Sequence, residues 1–266
     1  NQPLDNTYNN DDHGTNVAGI AAATVNNDIG MCGTAFKCRF FPIKIGRKGE
    51  NTLSMPYESI IYAAKRGFKV LNCSWGIVKP FSDIDQSIIN YAIANDVAIV
   101  AAAGNDEGSL ENNYPAAYEG VLAVGEVYQD DSFSGSNIAG FLDILAPGSG
   151  NWYPNNTNGY ANFGSGSSYS APVVSGIVAL VRAKYPSLTN LQALELVRQS
   201  TDDVSQLNSN LLWKDILPGR INALKAVTTE PFSIPSIRPQ KVIFKTKDGI
   251  ESSRFAIGDT IILSIN

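Results

Sequence analysis

The chain has few of the side chains from which reactive centres are usually built. Its 266 residues include one histidine, three cysteines and two methionines, and only 17% of them are charged. A lone histidine, with no Cys-x-x-Cys or Cys/His spacing, leaves no zinc-type ligand set. The cysteines, Cys32, Cys38 and Cys73, are odd in number and describe no disulfide framework. Cys73 lies in the apolar run Val70–Ser74 and reads as a small buried residue. Cys32 and Cys38 read as thiols, with a bridge between them as the alternative. No spacing brings a cysteine to the histidine. No apolar run is long enough to cross a membrane. No signal-peptide pattern opens the chain, which begins Asn1-Gln2-Pro3 and reads as a mature or trimmed form. A net charge of -5 without a Lys/Arg cluster gives nucleic acid no basic footprint. The pair Arg47-Lys48, between Gly46 and Gly49, reads as a solvated turn.

What is present is a regular alternation of strand-like and helical segments. Strands are expected at Arg39–Ile45, Val70–Trp75, Val97–Ala103, Gly120–Val127 and Leu142–Ala146. Helices are expected at Tyr57–Arg66, Ile84–Asn95, Ser170–Lys184 and Leu191–Gln199. Continuous apolar strands between helices imply a largely parallel sheet covered on both faces, a three-layer α/β/α fold. After Thr229 the texture changes. Pro231, Pro235 and Pro239 mark a linker, and Lys241–Thr246, the turn Asp248-Gly249 and Thr260–Ile265 read as strands. The expected division is therefore a main domain over 1–229, then a linker and the start of a β-rich accessory module over 230–266. A strand pair packed on the main domain is the alternative.

Three motifs carry chemistry. His13 opens the small-residue run Gly14–Ala23, which reads as a buried helix with the imidazole at its N-terminal end. Imidazole is the commonest side chain for moving a proton near neutral pH. Ser168 sits in Gly166-Ser167-Ser168-Tyr169-Ser170-Ala171-Pro172, ahead of a long apolar helix. Pro172 is expected in that helix's first turn, where its missing N–H costs nothing. Ser168 would then lie at the helix N-terminus, with its own N–H free to face a developing oxyanion. Asn105 ends the apolar run Ala101-Ala102-Ala103-Gly104. Each motif alone has an ordinary reading: a core helix, a flexible serine-rich loop and a strand-ending turn.

Together, in the order histidine, asparagine, serine, these motifs resemble the subtilisin-like serine peptidases over about residues 10–229. The resemblance implies a serine endopeptidase working through an acyl-enzyme, without a cofactor for the chemistry. Ser168 would be the nucleophile, His13 the base and Asn105 the second oxyanion donor. Members usually carry Gly-Thr-Ser at the nucleophile; this chain has Gly166-Ser167-Ser168, which keeps a hydroxyl before it. Ser74-Trp75-Gly76 would pair with an extended polypeptide substrate, opposite Ala102, Ala103 and Gly104, so that recognition is by strand addition. Asn113, before Tyr114-Pro115, takes the floor of the first specificity pocket, with Asp106 and Glu107 near its rim. The loop Val25–Met31 resembles part of the family's calcium loop, with Val25, Asn27, Ile29 and Met31 as oxygen donors. The family also implies an extracellular or periplasmic location.

One family element has no counterpart. The third catalytic residue, an aspartate, lies in the family tens of residues before the histidine, at the end of a strand inside the sheet. Only twelve residues precede His13, and Asp5, Asp11 and Asp12 follow no apolar strand. The expectation is that residues outside these 266, or a complementing N-terminal fragment, supply strand and aspartate. Two other functions remain open: an inactive peptide-binding relative, and an esterase or amidase using the same serine. An α/β-hydrolase is disfavoured, because no Gly-x-Ser-x-Gly elbow precedes a histidine.

Overall fold

The computed structural model describes residues 12–46, 52–106, 112–138, 140–155, 157–209, 211 and 217–231, and two strands at 242–246 and 261–265. The chain divides into two compact units, Asn1–Thr229 and Glu230–Asn266. The first unit contains helices α1 (His13–Ala22), α2 (Pro56–Lys65), α3 (Asp83–Ala94), α4 (Ser167–Lys184), α5 (Asn190–Gln199) and α6 (Ala223–Thr228). Its strands are β1 (Val70–Cys73), β2 (Ile77–Val78), β3 (Ala98–Ala102), β4 (Asn113–Tyr114), β5 (Val121–Val127), β6 (Ile144–Pro147), β7 (Tyr153–Pro154), β8 (Tyr160–Ala161), β9 (Thr201–Asp202) and β10 (Arg220–Ile221). The second unit contains β11 (Val242–Thr246) and β12 (Ile261–Ile265), paired antiparallel from Val242–Ile265 to Thr246–Ile261. The expected turn at Asp248-Gly249 lies outside the described residues.

The central sheet runs β1-β3-β5-β6-β10-β9. All its neighbours are parallel except β9, which is antiparallel to β10. Every residue of β3 and β5 is buried, as strands covered on both faces must be. On one face, Ile99, Ala101, Val121 and Ala123 pack with Tyr57 and Ile60 of α2 and Ile89 and Ala92 of α3. Helix α4 lies along β1, β3, β5 and β6, flanked by α1, α5 and α6. This is the expected α/β/α layering.

Helix α4 is anchored at its far end by charge. The Arg182 guanidinium grips Asp96 at 3.0 and 2.6 Å, Lys69 reaches the same carboxylate at 2.8 Å, and Asn190 N donates to it at 2.9 Å. The hydrogen bond from Arg182 holds the Asp96 carboxyl well below the usual carboxylate range. One side chain thus ties α4 and the start of α5 to the turn before β3.

Two expectations are corrected. Arg39–Ile45 forms no strand; its only ladder contact is a bridge from Gly46 to Leu53 just beyond it. Phe40 and Phe41 are 60% and 53% exposed. A strand of this kind needs a neighbour for its amides and its apolar face, and among the described residues none lies on the outer side of β1. The first three residues of β1 are accordingly only half-buried. The second correction is the start of α4, three residues earlier than expected. Pro172 therefore stands inside the helix rather than in its first turn. All three cysteines are free thiols, and Cys73 is buried as expected, with its pKa pushed up to about 12 by desolvation.

Candidate active site

The proline inside α4 creates the site's first contact. Within a helix, the residue four positions on donates to each carbonyl. Pro172 has no N–H, so the Ser168 carbonyl loses that donor. The Ser74 hydroxyl replaces it at 2.7 Å. In return the Ser168 hydroxyl donates to the Ser74 carbonyl at 3.2 Å. The segment leaving β1 and the first turn of α4 are thereby joined at Ser168. Ser168 is half-exposed, and among the described residues nothing accepts from its backbone N–H. That amide is one of the orphan donors of a helix start.

Asn105 is oriented by the neighbouring serine. Its Oδ1 accepts from Ser167 N at 2.8 Å and from Ser167 Oγ at 2.9 Å. Ser167 Oγ in turn accepts from Gly104 N at 3.0 Å. With Oδ1 held by two donors, Nδ2 is turned the other way. It lies beside Gly166, where an added Cβ would stand 3.0 Å from it. Gly166 caps α4 at φ 129°, a conformation that L side chains rarely adopt. The hydroxyl expected before the nucleophile thus stitches the end of β3 to the start of α4.

His13 begins α1, which packs against α4. Its ring meets Tyr169 edge-on, with centroids 5.9 Å apart. Burial lowers its pKa from 6.5, because desolvation disfavours the charged ring; the nearby Asp12 carboxylate acts the other way. A neutral imidazole is the form that accepts a proton. Among the described residues no hydrogen bond joins His13 to Ser168, whose hydroxyl is turned to Ser74.

The expected pocket residues come together. Asn113 is 3% exposed, with Nδ2 donating to the Ala103 carbonyl at 2.7 Å. Its amide fills the space between Gly76 and Gly104: a Cβ on Gly76 would overlap Asn113 Oδ1, and one on Gly104 would stand 2.7 Å from Nδ2. Trp75 packs edge-on against Tyr57 at 5.9 Å. Asp106 N donates to Asn137 Oδ1 at 2.9 Å, beside the same loop. Glu107 lies outside the described residues. The Val25–Met31 loop bends through left-handed backbone at Asn26, Asp28 and Gly30, and Asn27 Oδ1 accepts from Ile29 N at 3.3 Å. Sequence reasoning did not single out Glu126. It is an acidic residue in an otherwise apolar strand, bonded to Ser165 and Gly166.

A serine hydroxyl at a helix start, an oriented amide and a neutral imidazole offer acyl transfer through serine. Comparison with known proteins fits this chemistry. The chain belongs to the subtilase family of serine peptidases, which it matches over residues 1–213. It is 37% identical over 230 residues to a thermophilic serine proteinase of Bacillus sp. (strain AK1), covering 85% of this chain and 55% of that protein. It is 36% identical over 221 residues to thermitase of Thermoactinomyces vulgaris, covering 82% and 76%. The chain thus spans about half the length of the first relative. Among solved structures, the prenylagaramide maturation protease PagA superposes with a TM-score of 0.72 at 25% identity, covering 81% of each chain. A cold-adapted subtilisin-like serine proteinase gives 0.64 at 28% identity, covering 72% and 68%. The family consists of serine endopeptidases that need no cofactor for the chemistry.

Because His13 is the only histidine, its titration can be read from a single pair of imidazole NMR resonances. The expected midpoint lies below 6.5, and Asp12→Asn moves it further down by removing the charge that raises it. A midpoint at or above 6.5 in this chain would contradict the burial described for the ring.

Proposed function

We propose that the chain hydrolyses polypeptides, with Ser168 as nucleophile, His13 as proton shuttle, and Asn105 Nδ2 with Ser168 N as the oxyanion donors. The orientation of Asn105 is the observation that carries this reading. An amide whose oxygen is occupied by the residue before the nucleophile presents its donor side without reorganising during the reaction. In the first step Ser168 Oγ attacks the scissile carbonyl and its proton passes to His13. The hydroxyl must first turn from the Ser74 carbonyl. The protonated imidazole then delivers the proton to the leaving amine, and water resolves the acyl-enzyme by the same route in reverse. Ser168→Ala and His13→Ala are each expected to abolish turnover, and the double variant to add little, because the two act as one unit. Asn105→Ala is expected to lower kcat by about a hundred- to a thousand-fold with little change in KM, a magnitude that comes from subtilisin itself. If Asn105→Ala chiefly raises KM, the oxyanion role is wrong.

Substrate recognition follows from Asn113 and the Ser74–Gly76 segment. An extended peptide pairs with Ser74-Trp75-Gly76, and the side chain before the cut meets the Asn113 amide between Gly76 and Gly104. That amide fills space and offers a polar oxygen. A large apolar group that strands it costs about 1–3 kcal/mol. Small or polar residues are therefore expected before the cut, and Asn113→Gly is expected to admit Phe and Leu. A peptide-library profile led by Phe and Leu in both forms would refute this.

The open edge of β1 supports a partner strand. An extended segment carrying an aspartate, from residues outside these 266 or a separate fragment, pairs with β1 and orients His13. Its carboxylate would raise the His13 midpoint from the low value above; a fragment that binds and leaves the midpoint unchanged does not supply the third residue. An inactive peptide-binding relative is the second reading, favoured by the one observation that Ser168 bonds to Ser74 rather than to His13.

Residues 230–266 are read as a linker and the start of a β-rich accessory module. The site of action is read as extracellular or periplasmic; among the described residues no helix is long and apolar enough to cross a membrane. A structural calcium at the Val25–Met31 loop is supported by its hard oxygen donors, the Asn27 amide and the carbonyls of Val25, Ile29 and Met31. Among the described residues no cluster of three or more His, Cys, Asp or Glu could hold a metal. Calcium is expected to raise Tm by several degrees over the chelated protein, and the rise is expected to shrink in Asn27→Ala. An equal rise in both would exclude this loop.

A further inference from the structure

Glu126 is the one acidic residue of β5 and is 4% exposed. Three donors converge on its carboxylate. Ser165 Oγ and Gly166 N donate to Oε1 at 2.6 and 2.8 Å, and Ser134 Oγ donates to Oε2 at 2.7 Å. Its main chain is held as well: Glu126 N donates to Ser136 Oγ at 2.9 Å, and its carbonyl accepts from Ser134 Oγ at 3.2 Å. Among the described residues no lysine or arginine pairs with it. A buried carboxylate without a cation is costly unless neutral donors satisfy it, and here they do. It forms part of the wall of a polar cavity of about 170 Å³, together with Asn105, Ser134, Ser165 and Gly166.

Two of the three donors belong to the turn that delivers the nucleophile. Gly166 is the residue at φ 129° that caps α4 and lies beside Asn105 Nδ2. Ser167, next along, locks Asn105 Oδ1, and Ser168 follows. A turn in so restricted a conformation persists only when its surroundings over-determine it. The Gly166 amide points into the strand layer and would otherwise be a buried donor without a partner.

We propose that Glu126 is a positioning residue for this site: by accepting from Gly166 N and Ser165 Oγ, its carboxylate fixes the turn that sets Ser168 and the Asn105 amide in register. It touches no substrate. It acts through the turn, and it rests on the reading of Ser168 and Asn105 given above. When the carboxylate is removed, the turn relaxes and the two oxyanion donors no longer converge. The loss then falls on the transition state and not on substrate binding.

The test compares Glu126→Ala, Glu126→Gln and Ser165→Ala in the full chain. Glutamine keeps an oxygen for the turn and directs its amide to the Ser134 hydroxyl, which can accept as well as donate. Ser165 is exposed, so its loss spares the core. Glu126→Ala is expected to lower kcat about ten- to a hundred-fold with KM within twofold of the parent. Glu126→Gln is expected to keep at least a third of the parent kcat, and Ser165→Ala to fall between them. In an Asn105→Ala background, Glu126→Ala is expected to cost less than it does in the parent chain, since one of the two donors it positions is already gone. Hydrogen exchange at the Gly166 amide reads the turn directly, and needs no turnover: it is expected to speed up at least tenfold in Glu126→Ala and to stay slow in Glu126→Gln. Unchanged exchange at Gly166, a loss carried by KM, or full additivity with Asn105→Ala would each overturn the proposal. If Glu126→Ala does not fold, the Ser165→Ala and Glu126→Gln kinetics and exchange decide it by the same criteria. A parent chain that fails to react with a fluorophosphonate would overturn the assignment of Ser168, and the exchange result alone would then judge Glu126.

Discussion

The start of α4 has to be held at the carboxyl ends of the parallel strands, and most of the site follows from how that is done. A helix begins with amides that have no partner inside it, and here the beginning is packed against β3 and β5 rather than left in water. Asn105 takes the Ser167 amide, Glu126 takes the Gly166 amide, and Gly104 donates back to the Ser167 hydroxyl. These bonds satisfy the helix start and orient the side chains around it in the same act. At the other end of α4, Asp96 holds Arg182. The helix is therefore fixed at both ends, and Ser168 has little freedom beyond its own χ1.

The same packing leaves one amide uncommitted. Ser168 N donates to nothing among the described residues, while its neighbours on both sides do bond: Ser167 N to Asn105 and Tyr169 N to the Gly166 carbonyl at 2.9 Å. A free amide between two bonded ones is what anion stabilisation requires, because its dipole is set before any charge arrives. The imidazole is less constrained. His13 is placed by α1 against Tyr169, with no acceptor or donor bound to either ring nitrogen among the described residues. The half-buried edge of β1 runs toward the same place, ending just before Ser74. A strand laid along that edge would act on both the sheet and the ring.

The fold is legible in the sequence where burial alone decides structure. The runs that form β3, β5 and β6 are apolar, Glu126 of β5 excepted, because both faces are covered, and pattern places them within a residue or two. Arg39–Ile45 is also rich in apolar residues but has no strand to pair with among the described residues, and pattern cannot report a neighbour. The start of α4 is misplaced for a different reason. Proline is usually at home in the first turn, and the sequence does not show that Ser74, 94 residues before Ser168, gives the Ser168 carbonyl the donor that Pro172 lacks. The resemblance points to His13, Ser168, Asn105 and Asn113 as the expected site residues, and the Asn113 amide lies between Gly76 and Gly104. Glu126 carries no local signal at all. One acid in an apolar strand reads as an exception until its partners, 39 and 40 residues further on, are brought to it.

A carboxylate behind an oxyanion site poses an electrostatic question. Negative charge developing on the substrate oxygen is opposed by negative charge nearby. Losing one well-placed oxyanion donor costs about 2.7–4 kcal/mol. A residue that keeps two donors in register can carry a charge and still favour the reaction where the donors it holds outweigh that repulsion. The neutral donors on Glu126 reduce the conflict further. Ser134, Ser165 and Gly166 all point their positive ends at the carboxylate, so the field that reaches the substrate is that of the whole hydrogen-bonded group. Asn105 holds the Ser167 amide and Glu126 the Gly166 amide, so the turn has one acceptor for each, and among the described residues no lysine or arginine competes for the Glu126 carboxylate and draws it away.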